Sequence, residues 1–304
     1  MSEKTRAAYP KVIVGLCHGA ADADTVRMAA EFAQLVGLDL HCLLIEDEAL
    51  LALAKLPFAR EFRLPSHKWS PLNAEIIEAE IRQTAVELRR LMDEIVRDLG
   101  VPSEFHVRRG DPATCIAAVC QTGDIVVVTE TGASTVPATH SLTRLHAGAH
   151  ESATSILFLP TRLKARKGAI VTILTDVGDA ALDMASRLAI TAKEDLVILL
   201  PEPVGIDAAR ELEANAKNRA QAIGLSPVRI NVRFVHDGEA DETLQVLAGA
   251  QERLIVMPRA ALTPSVASRI PAARGVPVLL VEAEARVAQD GPRETDTKTS
   301  EITD

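Results

Sequence analysis

Short apolar runs alternate with amphipathic stretches along most of the chain. Apolar runs rich in Val, Ile and Leu predict strands, and apolar positions spaced three or four residues apart predict helices. In the first half, the predicted strands are residues 11–17, 39–45, 104–108, 124–128 and 155–159. The predicted helices between them are residues 22–36, 73–99, 111–121 and 141–151.

Local signals support the ends of these helices. Gly37 and Gly100 stand where a glycine closes a helix in the left-handed conformation. Asp111 and Pro112 form a helix start, with Asp as the N-cap and Pro at the first helical position. The helix boundaries are therefore predicted from residue chemistry as well as from periodicity.

The second half repeats the same order of elements. Its predicted strands are residues 169–174, 195–200, 228–234, 253–257 and 276–281, and its predicted helices are residues 180–192, 208–223, 239–250 and 266–273. Strands that alternate with helices predict parallel sheets with helices on both faces. We therefore predict two tandem doubly wound α/β domains, each with a five-stranded parallel sheet.

The linker at residues 160–168 is short and basic, and it sets the predicted domain boundary. Domain 1 spans residues 1–160 and contains an extra segment at residues 47–72. Domain 2 is shortened and spans residues 168–282. Residues 283–304 are acid-rich with little to bury, which predicts a disordered acidic tail.

Composition narrows the class of protein. The chain has 304 residues, of which 47% are hydrophobic and only 3% aromatic, which favours α/β layering over an all-β sandwich. A net charge of -9 argues against a nucleic-acid partner or an anionic membrane surface. No apolar run approaches the roughly 20 residues of a membrane span, so we expect no membrane insertion. Residues 1–10 lack the apolar core of a signal peptide, so a cytoplasmic location is expected.

A loop rich in small and hydroxyl residues, TETGASTVPATHSLT at residues 129–143, follows the fourth predicted strand. In parallel α/β sheets, ligands bind beyond the carboxyl ends of the strands. This loop is therefore the first candidate for a phosphate-binding site.

The chain resembles the universal stress proteins in their tandem, two-domain form. The resemblance covers about residues 10–282, and it is carried by VIVGLC, VRRGDPATCIAAVCQTGDIVVVTETG, DLVILL, HDGEADETLQVLAGAQERLIVM and PSVASRIPAARGVPVLLVE. It implies a Rossmann-like fold of the adenine-nucleotide alpha-hydrolase type. It also implies a stress-response or regulatory role that requires no catalysis.

Many members of that family bind ATP through an aspartate after the first strand and a loop G-x2-G-x9-G-[ST] after the fourth. In the first half, Gly132 matches the second glycine and Thr143 the hydroxyl, but Thr129 and Leu142 replace the other glycines. Cys17 or His18 takes the place of the aspartate.

In the second half, Asp176 stands after the first strand, but Met257-Pro258-Arg259-Ala260-Ala261 replaces both leading glycines and only Ser265 keeps the hydroxyl. The motif is thus degenerate in both halves. The candidate nucleotide-binding residues are His18, Gly132, Ser134, Thr135, Ser141, Thr143, Asp176 and Ser265.

The extra segment at residues 47–72 offers a different kind of site. It contains three of the eight aromatic residues, including the only Trp, with basic residues between them. Trp, Phe and Arg together are typical of interaction hot spots. The alternative is an ordered insert that packs over the carboxyl end of the sheet. The candidate partner-binding residues are Phe58, Arg60, Phe62, Arg63 and Trp69.

Other clusters suggest little chemistry. His146 and His150 would share a helix face near His140, but no Cys lies near them, so no metal is predicted and a polar helix face is expected. Cys17, Cys42, Cys115 and Cys120 form no CxxC pair, which indicates buried thiols. No catalytic residue set is apparent, so we expect no enzyme.

The apolar final strands of the two halves need cover if they lie at sheet edges. With the resemblance, this predicts that the two domains pair within one chain, and it allows a homodimer. Two functional hypotheses follow. In the first, the protein is a regulator of the universal stress type that binds a protein partner. In the second, it is an ATP sensor that uses the degenerate loop of the first half. An α/β nucleotide hydrolase is a third, less supported hypothesis.

Overall fold

The computed structural model describes residues 10–17, 23–63, 67–129, 140–153, 155–163, 167–235, 251–261 and 269–282. Its strands are β1 (Lys11–Cys17), β2 (Asp39–Asp47), β3 (Arg60–Arg63), β4 (Lys68–Pro71), β5 (Ser103–Gly110), β6 (Ile125–Thr129), β7 (Ser155–Leu159), β8 (Ala169–Ile173), β9 (Leu196–Pro201), β10 (Ile230–Val235), β11 (Glu252–Pro258) and β12 (Val278–Val281). Its α-helices are α1 (Ala23–Val36), α2 (Glu48–Ala54), α3 (Ala74–Leu99), α4 (Pro112–Ala117), α5 (His140–Ser152), α6 (Ala180–Ala192), α7 (Ile206–Ala222) and α8 (Arg269–Arg274).

Helix α3 shows how local chemistry sets an element. Asn73 caps its start, because the Asn73 Oδ1 accepts hydrogen bonds from the amides of Glu75 at 2.8 Å and Ile76 at 3.3 Å. Gly100 ends it in the left-handed conformation, with φ at 67°. The predicted helix at residues 73–99 is therefore reproduced almost residue for residue.

Helix α4 is shorter than predicted. It ends at Ala117, whereas the periodicity predicted a helix to Gln121. The Asp124 carboxylate accepts a hydrogen bond from the Gln121 amide at 2.8 Å, and Gly123 has a φ of 93°. These contacts form a turn before β6, and the helix therefore ends before this turn.

Ten strands form one sheet in the order β10-β9-β8-β11-β12-β7-β6-β1-β2-β5. Neighbouring strands are parallel except β7 and β12, which pair antiparallel at the centre. The parallel α/β fold is confirmed. Each half contributes five mutually parallel strands, as predicted, and main-chain hydrogen bonds between β7 and β12 join the two sets into one sheet. The five strands of each half lie in the same spatial order. This repeat is consistent with a domain boundary at residues 160–168, which stays a prediction.

The core has two layers, one on each face of the sheet. On one face, α1, α3, α6 and α7 pack against the sheet, and on the other α4, α5 and α8 do so. The predicted helix at residues 239–250 and the acidic tail lie outside the described residues. Of the helices that are described, none combines the length and the apolar character that a membrane span requires.

Candidate functional site

The carboxyl ends of the first-half strands bring together Cys17, Asp47 and Ser141. The buried Asp47 is the last residue of β2, and its carboxylate accepts a hydrogen bond from the Ala49 amide at 2.8 Å, which caps α2. Its other oxygen accepts a hydrogen bond from the Ser141 hydroxyl at the start of α5. The Cys17 thiol lies 3.9 Å from the Ser141 carbonyl oxygen. The Ser141 hydroxyl, predicted to bind phosphate, thus donates to a carboxylate of the protein.

The surroundings of Cys17, at the carboxyl ends of the strands, make its thiol a poor nucleophile. Burial raises the pKa of the Cys17 thiol to about 12, and the nearby Asp47 and Cys115 act in the same direction. Only the thiolate is strongly nucleophilic, so Cys17 is inert at neutral pH. The Asp47 carboxylate also places an acceptor, rather than a donor, next to the predicted phosphate position.

The predicted phosphate loop is described only in part. Gly132, Ser134, Thr135 and His18 lie outside the described residues, as does Ser265 of the second half. Thr143 is exposed in the first turn of α5. Leu142, which occupies the place of the third motif glycine, is buried in the core beside α4. At that position the chain packs a side chain instead of offering a close backbone approach.

A bidentate ion pair joins the starts of α4 and α5. The Arg144 guanidinium donates to the Asp111 carboxylate at 2.8 Å and 2.9 Å. Asp111 also caps α4 by accepting from the Thr114 amide at 3.0 Å. Arg144 holds the pKa of Asp111 well below its usual range, and the Thr114 hydrogen bonds add to this shift. The Arg144 charge beside Thr143 is therefore already paired.

His146 and His150 do not form the expected polar face. Their rings lie 5.7 Å and 5.8 Å from the ring of Phe158 on β7, measured between centroids. The His146 Nε2 donates a hydrogen bond to the Thr129 carbonyl oxygen at 2.7 Å. The two imidazoles pack against the sheet because α5 turns this side towards β7. That expectation was wrong.

In the second half, Asp176 follows β8 as predicted for the family aspartate. Its side chain is exposed, and its carboxylate accepts a hydrogen bond from the Gly178 amide at 2.5 Å. The adjacent Asp179 carboxylate accepts from the amides of Thr175 and Asp176, each at 3.1 Å. Asp176 therefore shapes the turn between β8 and α6.

Arg259 occupies the place of the missing glycines in the second half. Its guanidinium reaches across to the end of α5, donating to the Ala153 carbonyl at 2.7 Å and to the His150 carbonyl. The Glu282 carboxylate lies 3.7 Å from the Arg259 guanidinium. A cation that satisfies the last carbonyls of a helix also interacts favourably with the helix dipole. Arg259 thus connects the two sets of strands.

Replacing Arg259 with alanine should lower the free energy of unfolding by about 2 kcal/mol, because two carbonyls lose a charged donor. Urea denaturation of the variant and the parent chain measures the difference. Arg187→Ala, on the exposed side of α6, serves as the matched control and should leave the midpoint unchanged. Equal midpoints for Arg259→Ala and the parent would show that the contact contributes nothing.

The insert consists of α2 and a hairpin of β3 and β4, which are separate from the main sheet. Leu51 and Ala54 of α2 pack against Ile77 and Ile81 of α3. This small cluster anchors the helix, as expected for a packed insert. The Ala59 carbonyl accepts from the Leu72 amide at 2.9 Å and closes the base of the hairpin.

The hairpin itself presents aromatic side chains to solvent. Phe62 lies opposite Trp69 in the strand register, and their ring centroids are 5.3 Å apart. Trp69 is 64% exposed, and Phe58, just before the hairpin, is 76% exposed. Arg60 is also exposed, and Arg63 pairs through its backbone with Lys68. Four predicted partner-binding residues, Arg60, Phe62, Arg63 and Trp69, therefore lie on one hairpin.

The sequence did not predict a cluster of side chains near the amino ends of β2 and β5, at the opposite end of these strands from Asp47. His41 of β2 and Glu104 and His106 of β5 hold their ligand atoms close together on the sheet. The spacing of Glu104 and His106 places both on one strand face, but the register between β2 and β5 could not be read from the sequence. Asp47 was missed for a similar reason, since its partner Ser141 is distant in the chain.

Comparison with known proteins points to one fold. No protein-family model and no curated protein matches the sequence. Among solved structures, a universal stress protein from Archaeoglobus fulgidus DSM 4304 matches with 14% identity and a TM-score of 0.58, over 89% of this chain and 96% of the other. A Pseudomonas aeruginosa UCBPP-PA14 protein assigned to the same family matches with 15% identity and a TM-score of 0.51, over 90% and 94%. A functionally unknown protein from Pseudomonas aeruginosa PAO1 matches with 16% identity and a TM-score of 0.50, over 89% and 92%.

These similarities establish the fold. The chain shares the α/β architecture of the universal stress proteins, as the sequence resemblance predicted. At 14–16% identity, this likeness describes the fold and carries no argument about ligands or partners. The function must be argued from the side chains described above.

Proposed function

We propose that this protein, which has the fold of the universal stress proteins, is a cytoplasmic regulator that acts without catalysis by binding a protein partner. The proposed binding surface, called the aromatic hairpin below, comprises Phe58, residues 60–63 and residues 67–71. The observation that carries the proposal is the exposed pair of aromatic rings, Phe62 and Trp69, in contact on this hairpin.

The energetics of the hairpin support a partner. An isolated two-stranded hairpin is marginally stable in water, and three large aromatics on it leave apolar surface unburied. Phe and Trp can bury about 150–250 Å² each, so Phe58, Phe62 and Trp69 could supply the centre of an interface with about 800 Å² per partner. Few large aromatics occur elsewhere, since the whole chain has six Phe, one Trp and one Tyr.

The charge of the hairpin indicates what the partner looks like. Arg60, Arg63 and Lys68 against Glu61 give three positive charges and one negative, or +2, in a chain with a net charge of -9. Complementary potentials favour a partner segment with apolar anchors flanked by acidic residues. The proposed occupant is thus an acidic, apolar segment of another protein.

Observations in the carboxyl-end cleft support binding over catalysis. The Cys17 thiol is protonated at neutral pH, and the Asp47 carboxylate already accepts the Ser141 hydroxyl. Burial of Leu142 in the motif's third glycine position gives no support to the alternative of an ATP sensor. The phosphate-loop residues Gly132, Ser134 and Thr135 lie outside the described part of the chain, so ATP is tested directly as a second arm of the experiment.

Photo-crosslinking tests the proposal. A photoreactive phenylalanine at position 58 should capture a specific partner from cells, and Trp69→Ala in the same chain should reduce capture at least tenfold, because a central aromatic anchor commonly contributes about 2 kcal/mol or more. The captured protein is identified by mass spectrometry and its affinity for both chains is measured with purified components.

The matched control places the same photoreactive residue at Val204, a fully exposed apolar position far along the chain on the β9–α7 connection. Equal capture from both positions, or capture indifferent to Trp69→Ala, would contradict a dedicated surface. A crosslink between two copies of this chain would make the partner a homodimer mate. A melting shift with ATP and Mg²⁺ that Thr143→Ala abolishes would instead favour the nucleotide sensor.

The pairing of the two predicted domains within one chain belongs to the same proposal. The register of β7 and β12, which runs from Phe158 opposite Val278 to Ser155 opposite Val281, supports it. An edge strand that is satisfied internally is not available for pairing with a second chain. Any homodimer is therefore proposed to form elsewhere on the surface.

A further inference from the structure

Three side chains with metal-binding atoms meet on one face of the sheet, away from both the carboxyl-end cleft and the aromatic hairpin. His41 on β2 lies opposite Glu104 on β5, and His106 follows Glu104 by two residues. Alternate residues of a strand point to the same side, so the three side chains share a face. We call them the β2–β5 histidine cluster.

The distances within the cluster suit a tetrahedral ion. The His41 Nδ1 lies 3.5 Å from the Glu104 Oε2, and the His106 Nε2 lies 3.0 Å from the same oxygen. All three ligand atoms fall within 4.8 Å of one another. Bonds of about 2.0–2.1 Å to tetrahedral zinc place neighbouring ligands about 3.4 Å apart, so little movement is needed to seat an ion.

The surroundings support access and rigidity. Paired strands hold the backbone of all three residues, and β5 is an edge strand of the sheet, so the cluster opens to solvent. His41 is half-buried, whereas Glu104 and His106 are exposed, so the cluster can be reached from solvent. The charge of Lys11, which acts on His41, is paired with Asp124 at 2.7 Å, and Asp39 adds negative charge near His41.

We propose that the β2–β5 histidine cluster binds one divalent transition-metal ion of the Zn²⁺ class. Two imidazole nitrogens and one carboxylate oxygen are ligands that zinc prefers, and they leave a fourth position for water. The ion would link the edge strand β5 to β2. This site is independent of the proposed partner surface.

Calorimetric titration of the tag-free full chain with Zn²⁺ tests the proposal, and Co²⁺ absorbance reports the geometry. We expect one ion per chain, a tetrahedral Co²⁺ spectrum, and at least a tenfold loss of affinity in His106→Ala and in Glu104→Gln. His106 is exposed on an edge strand, so its replacement should not disturb folding, and the melting temperature of the metal-free variant checks this.

His67→Ala provides the matched control, because His67 is an exposed histidine on the aromatic hairpin. Its affinity for Zn²⁺ should equal that of the parent chain. Absence of micromolar or tighter binding by the parent, or binding that His106→Ala leaves intact, would overturn the site. In that case the Glu104 carboxylate would serve only as a hydrogen-bond acceptor for the two rings.

Discussion

Replacing Asp124 with alanine is expected to lower the free energy of unfolding by about 3 kcal/mol, within the range seen when one partner of a buried ion pair is removed. Asp124 is fully buried at the start of β6. Its carboxylate accepts from the Lys11 backbone amide at 2.9 Å, the Lys11 ammonium at 2.7 Å and the Gln121 amide at 2.8 Å. Alanine would leave all three donors without this acceptor.

Chemical denaturation with two further variants locates the effect. Asp124→Asn keeps an acceptor but loses the charge, so its free energy of unfolding should lie between those of the parent and the alanine variant. Asp93→Ala, on the exposed side of α3, removes a carboxylate at the surface and should change the free energy by less than about 0.5 kcal/mol. A loss below about 1 kcal/mol in Asp124→Ala would mean that the Lys11 ammonium escapes to solvent at little cost.

Acidification should destabilise the fold through His146. Burial lowers the pKa of this imidazole from 6.5 to about 4. The unfolded chain therefore binds the proton as the pH falls below 6.5, whereas the folded chain resists it until about pH 4. Over that window the free energy of unfolding should fall by about 3 kcal/mol from this group, and the stability is fully present above pH 6.5.

His146→Gln isolates that contribution, because a glutamine amide can still donate to the Thr129 carbonyl but does not titrate. We expect the variant to lose much less stability than the parent between pH 6.5 and pH 4 in urea denaturation. Asp111, His150 and His41 also favour loss of stability in acid, so only the difference between the two chains is informative. His67→Gln serves as the control and should follow the parent. Parallel pH profiles for His146→Gln and the parent would refute the assignment.

Local signals explain which parts of the fold could be predicted. The strands β1 and β7 and the helix α6 match the predicted bounds because their apolar pattern and end residues are contained in the segment itself. The predicted strand at residues 228–234 begins later, at Ile230, because Pro227 starts a short 3₁₀ turn. Here the boundary is wrong by two residues, because the turn preference of Pro227 competes with the strand preference of the residues that follow.

The candidate sites depend on contacts between distant residues, which periodicity does not encode. The Ser141 hydroxyl reaches a carboxylate 94 positions earlier, and Arg259 reaches a carbonyl 109 positions earlier. The exposed aromatics were predicted from composition, since Trp69 and its neighbours stood out in a chain with few aromatics. Their arrangement on a hairpin was not predicted, because strands of four residues are too short to show a clear alternation of apolar and polar residues.

The insert has no counterpart between β9 and α7, the corresponding position of the second half, and this bears on how many partners one chain could hold. In the first half, α2 and the hairpin separate β2 from α3, whereas in the second half only residues 202–205 lie between β9 and α7. A symmetric pair of identical single-domain chains would carry such a hairpin twice. The described part of this chain carries it once for two sets of five parallel strands, so each copy of the chain would offer a partner a single such surface.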